Sequence, residues 1–121
     1  MFNFNSVIGM VVLLGGLIFF HELGHYLVAK FFRIKVEIFS LGFGKKILKK
    51  TWGETEYCLS LIPLGGYVKL MGDDPYKEVP PEEAHRAFST QALYKRFAVV
   101  AAGPIANLLL AYVLFMVVFW V

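Results

Sequence analysis

The sequence predicts an α+β membrane protein in which two transmembrane helices enclose a small membrane-associated antiparallel β-meander. Three observations predict it. The chain is 121 residues long, 58% hydrophobic and only 17% charged, too apolar for a domain of this size to hide inside itself. All twelve Lys and Arg lie between Lys30 and Arg96, with eight of the nine acids, so that Glu22 is the one charge in the flanking stretches. Between those stretches the pattern changes to a period of two, broken by glycine-rich turns. The net charge of +3 does not mark a nucleic-acid binder, because the basic residues sit where a membrane protein keeps them, beside its spans.

The first apolar segment runs from about Phe4 to Phe32 and the second from Phe97 to Val121. At 1.5 Å per residue the second extends roughly 37 Å, enough to cross about 30 Å of hydrocarbon with some tilt. Lys30, Arg33, Lys35, Lys95 and Arg96 at the span ends place the intervening loop in the cytosol and both termini outside. No basic residue precedes the first apolar run and no small-residue cleavage site follows it, so an uncleaved anchor is expected rather than a signal peptide.

Within the loop, Ile34, Val36 and Ile38 alternate with Lys35, Glu37 and Phe39, and Gly42-Phe43-Gly44 signals a turn. Lys45-Lys46 and Lys49-Lys50 flank Ile47-Leu48 as a solvated hairpin edge or a headgroup contact. A second strand-like run, Thr55 to Ile62, is broken by Pro63-Leu64-Gly65-Gly66 before Tyr67 to Leu70. So few charges interrupt it that the sheet must pack on the helices or dip into the membrane beside them. Cys58 alone excludes an internal disulfide and is a small buried hydrophobe. Residues 72–84 are a polar linker, and Ser89 or Thr90 caps a helix entering the second span. The divisions are therefore 1–32, first helix; 33–71, meander; 72–96, linker and juxtamembrane segment; and 97–121, second helix.

The chemistry lies in His21-Glu22-Leu23-Gly24-His25, an H-E-x-x-H within the first span. Four residues turn a helix by about 400°, so His21 and His25 share a face and can share a metal. Zinc takes neutral imidazole nitrogen and needs a third protein ligand with a position left for water. Glu22, about 100° around the helix, is placed to act as general base. A solvated patch is the ordinary alternative for such a pattern, but lipid makes two histidines and a carboxylate costly unless they face an interior. His21 follows about 17 residues of span and precedes Lys30 by about 13 Å, which puts the site inside the bilayer towards the cytosol.

At this point the chain resembles the site-2 protease family of intramembrane zinc metalloproteases, and within it the bacterial regulator-of-sigma-E protease branch. HELGH at 21–25, SLGFGKKI at 40–47, LIPLGGYVKL at 61–70 and AAGPIANLLLA at 101–111 carry the resemblance. It implies that His21 and His25 bind Zn2+, that Glu22 is the catalytic acid/base, and that Pro63, Gly65, Gly66 and Tyr67 belong to a hairpin that pairs with an unwound substrate. Asn107, in Gly103-Pro104-x-x-Asn107, is left between a helix-packing hydrogen bond and contact with substrate or transition state. The implied third ligand, an Asp in a Leu-Asp-Gly motif on a later helix, is absent from this chain, as are the branch's PDZ domains. Asp73 and Asp74 lie in the linker, and His85 is a solvated loop residue. The chain also ends within an apolar run, Phe119-Trp120-Val121.

The expectation is therefore the N-terminal half of an enzyme of the bacterial inner membrane that hydrolyses transmembrane segments of single-span proteins, such as an anti-sigma factor. The remaining C-terminal part would supply the Asp, and this fragment alone would be inactive. The rival is a non-catalytic metal-binding membrane scaffold subunit whose partner supplies the missing ligand.

Overall fold

A computed structural model describes residues 3–74 and 76–120, leaving out the side chains of Pro63 and Leu64. Helix α1 spans Phe4–Phe31. The Asn3 side chain starts it by accepting from the Ser6 amide at 2.8 Å. It ends where Arg33 turns left-handed (φ 63°). There the Arg33 N–H donates to Lys30 and the Ile34 N–H to Ala29, the paired bonds that close a helix end and satisfy its last carbonyls. The turn drops Ile34 into the core, fully buried with Ala29 and Val36.

Two long strands follow, β1 over Val36–Trp52 and β2 over Thr55–Leu70. They pair antiparallel, as the sequence predicts, around a tight turn at Gly53. The order is not that of a meander. Val36–Leu41 stands against Leu70–Gly66 on one side, while on the other Ile38 to Leu41 face Glu56 to Leu59 with both numbers rising. The far half of β1 closes a hairpin with β2, from Lys46 opposite Ser60 to Trp52 opposite Thr55. The glycine clusters that mark turns in the sequence are where the chain reverses within the ladder. At Gly42 (φ 91°) an added Cβ would lie 2.7 Å from the Ile62 carbonyl oxygen, and one at Gly65 would overlap the Phe43 ring. Only glycine lets the strands fold over one another so closely.

The sheet packs along the C-terminal half of α1. Phe39 sits edge-on to Phe19 at 6.0 Å and to Tyr26 at 5.3 Å. The Tyr26 and Tyr57 hydroxyls share a hydrogen bond of 2.7 Å. Cys58 is buried, and burial with the nearby Glu56 carboxylate pushes its thiol above the ordinary range, in keeping with a packing role rather than a reactive one.

The linker returns through two 3₁₀ turns, Pro81–Arg86 and Phe88–Thr90, to α2 over Leu93–Trp120. Helix α2 therefore begins before Phe97 and takes in Lys95 and Arg96. The predicted cap does not form: the Thr90 hydroxyl turns back to the carbonyls of Ala84 and Ala87, because the 3₁₀ turns leave those acceptors closer than the helix that follows. A core of Ala29, Ile34, Val36, Leu70 and Val99 joins the end of α1, the sheet and the start of α2. Away from it both helices carry exposed apolar side chains, among them Val12, Leu27, Leu108 and Phe115. Each helix is long and apolar enough to cross a membrane.

Arg86 clasps these parts together. Its guanidinium grips Glu54 at the hairpin turn with two bonds, one of 2.6 Å, and its Nε donates to the Arg33 carbonyl, while Lys30 adds its charge at 3.5 Å. The Arg86 hydrogen bonds hold the Glu54 carboxyl below its ordinary value of 4.5. A group lowered on folding contributes stability above its unfolded pKa and loses it as the pH falls through the folded one. Glu54→Gln should therefore reduce stability in detergent at neutral pH by about 1 kcal/mol or less for a partly exposed pair, read as a lower thermal unfolding midpoint. The gap from wild type should close as the solution is acidified well below pH 4.5.

Candidate metal centre

The two helices run antiparallel and touch backbone to backbone. A Cβ on Gly24 would strike the Ala102 carbonyl and lie 2.9 Å from the Ala106 Cβ. At the next residue of α2, a Cβ on Gly103 would lie 2.6 Å from His25 Nε2 and 2.8 Å from His21 Cε1. The missing side chain of Gly24 thus lets the helices approach, and that of Gly103 makes room for the two imidazoles. Val99, Gly103 and Asn107 recur every four residues and form one stripe along α2 facing the His21–His25 stripe of α1.

Each imidazole is held by that stripe. His25 Nδ1 stands 2.7 Å from the Val99 carbonyl oxygen, which only accepts, so Nδ1 carries the proton and Nε2 of the neutral ring is a lone pair. Val99 is itself 2% exposed, its side chain fixed in the core while its carbonyl orients the ring. His21 Nδ1 lies 3.5 Å from Asn107 Nδ2. The two Nε2 atoms converge to 3.1 Å.

That convergence suits a metal. Two nitrogens bound to one tetrahedral zinc at about 2.05 Å stand about 3.3 Å apart. The Asn107 Oδ1 is buried without a hydrogen-bond partner, a polar atom left over beside the pair. Glu22, His21 and Asn107 line a cleft of about 160 Å³ with Leu17 and Ile18. Strand β2 passes close by: a Cβ on Gly66 would lie 3.7 Å from Glu22 Cγ and 3.4 Å from Ile18 Cγ2. Among the described residues no third His, Cys, Asp or Glu completes a ligand set.

The remaining candidate residues divide. Where β2 folds over β1, Gly65 lies against the Phe43 ring and Gly66 beside Glu22. Pro63 is in β2, its side chain outside the described residues. Tyr67, opposite Ser40, alternates with Val68, which stands opposite Phe39 on the α1 side, so Tyr67 belongs to the other face of the sheet. Asp73 and Asp74 accept from the Leu70 and Tyr76 amides and serve turns, and His85 is exposed in the first 3₁₀ turn. Sequence reasoning missed the Val99 carbonyl altogether, since backbone acceptors leave no residue-type signal. The four-residue spacing of Val99, Gly103 and Asn107 was the available clue.

Comparison with known proteins bears on these residues. Residues 9–121 match the model of peptidase family M50. The chain is 46% identical to the regulator of sigma-E protease RseP of Escherichia coli over 90% of its length and 24% of that protein's. It is 46% identical to the protease RseP of Yersinia pestis over 94% of its length and 25% of that protein's. A protein of Ralstonia nicotianae that carries a zinc metalloprotease name matches 96% of the chain at 46% identity, over 27% of its own length. The chain thus spans about a quarter of the length of these relatives.

Proposed function

The chain belongs to peptidase family M50, and from that premise we propose that it is the N-terminal part of an intramembrane zinc metalloendopeptidase. The observation that carries the reading is the pair of imidazole nitrogens 3.1 Å apart, beside a carboxylate, within a helix long and apolar enough to span a membrane. Polar groups so placed are costly unless they work together.

His21 and His25 would hold the ion, each through Nε2. When bound, zinc polarises the scissile carbonyl and acidifies the attacking water. Glu22 takes the proton from that water and passes it to the leaving amine. Val99 holds His25 in the tautomer that leaves Nε2 free. A substrate helix conceals its own peptide bonds, so it must unwind before cleavage. The β2 backbone at Gly65–Gly66, beside Glu22, offers replacement hydrogen bonds to the extended stretch.

The proposed substrates are single-span membrane proteins, anti-sigma factors among them. The third ligand is an Asp from the C-terminal remainder of the same protein, so that residues 1–121 alone hold zinc weakly and cleave nothing. The protein is placed in the bacterial inner membrane with residues 33–96 in the cytosol, the side favoured by its Lys and Arg.

The test is cleavage of a single-span reporter by the full-length protein in detergent. Chelation with 1,10-phenanthroline should stop cleavage and added zinc should restore it. Metal held at the histidines without cleavage of any reporter would instead support the non-catalytic scaffold.

A further inference from the structure

The tautomers around the histidine pair can be worked out in both metal states, and they require different things of Asn107. His25 gives its Nδ1 proton to Val99, so its Nε2 is a lone pair facing His21 Nε2 at 3.1 Å. Two lone pairs do not face each other at that distance with nothing between them. Without a metal, His21 carries its proton on Nε2 and donates it to His25. Its Nδ1 is then the acceptor, and the Asn107 amide nitrogen at 3.5 Å is the donor that matches it.

A metal shared by the two Nε2 atoms takes that proton's place. Neutral His21 must then carry its proton on Nδ1, where an N–H donor would oppose it and an acceptor is needed. Asn107 supplies one without changing shape, because a half-turn of the amide exchanges oxygen and nitrogen. The oxygen concerned is the buried Oδ1 that has no partner.

We propose that Asn107 is a positioning residue for the metal centre: its Oδ1 accepts the His21 Nδ1 proton when metal is held, and its Nδ2 donates to the same nitrogen when it is not. The proposal rests on the reading of His21 and His25 as metal ligands. Asn107 acts through His21 and does not touch the ion. The half-turn also brings an N–H into the place of the unpartnered oxygen, so the loaded centre gains a donor there.

The test is zinc affinity of the full-length protein in detergent, measured by competition with a chromophoric chelator for wild type, Asn107→Leu, Asn107→Asp and His21→Ala. Leucine keeps the bulk without an acceptor and should weaken zinc about 10–100-fold, the usual effect of losing a partner behind a ligand. Aspartate keeps the bulk and only accepts, so it should hold zinc at least as tightly as wild type. Wild-type affinity in Asn107→Leu would overturn the proposal. Equal weakening by Leu and Asp would also overturn it, since helix packing rather than the acceptor would then be at stake. Wild type binding no better than His21→Ala would remove the metal centre itself, and the proposal with it.

Discussion

Glu22→Gln in the full-length protein should abolish reporter cleavage while leaving its zinc content unchanged. Glutamine has the shape of the residue it replaces and the cleft formed with Leu17, Ile18 and Asn107 should accept it, but a neutral amide cannot take a proton from water. General acid–base catalysis contributes about 10²–10⁴-fold, so residual cleavage should fall below about one per cent. Metal analysis separates this loss from collapse of the site: His21 and His25 stay as they are, with Val99 still orienting His25. Cleavage retained by a protein that still binds zinc would remove Glu22 from the proton-transfer role.

Adding one methyl group at Gly103 should be nearly as damaging by a different route. In an open helix Gly→Ala stabilises by about 1 kcal/mol. At Gly103 the new Cβ would lie 2.6 Å from His25 Nε2 and 2.7 Å from its Cε1, against the nitrogen offered to the metal. Both helices are fixed there by the contact of Gly24 with Ala102, so neither can step aside. Gly103→Ala should lose both zinc and cleavage, each by more than about 100-fold, the scale at which ligand geometry is destroyed rather than detuned. Gly9→Ala, with open space around the added carbon, should leave both unchanged. Cleavage and zinc content measured side by side on the two variants check the prediction.

The parts of this structure that could be read from the sequence are those with a period. Alternate residues marked the first strand, long apolar runs marked the helices, and a four-residue spacing placed His21 and His25 on one face. The contacts that escaped are set by distant chain segments. Nothing near Glu54 announces that Arg86, 32 residues on, will clasp it. Nothing in Gly42 or Gly65 says that the strands fold within the ladder rather than end, since a turn and a close crossing both call for glycine. Thr90 had the residue type of a cap but met nearer carbonyls. Tyr67 lies in a motif beside the site, yet alternation carries it to the opposite face of the sheet. Asn107 was legible as a residue with business in the bundle interior, whereas its partner became known only when α2 was laid against α1.

The His25 ring bridges the two helices, with one nitrogen hydrogen-bonded to the backbone of α2 and the other facing His21, where the proposed ion would be held. Span pairing and ion occupancy are therefore thermodynamically linked, and each must favour the other by the same factor. A bilayer whose thickness tilts α2 away from α1 should be felt as weaker zinc affinity, and zinc starvation should in turn loosen the pairing of the spans.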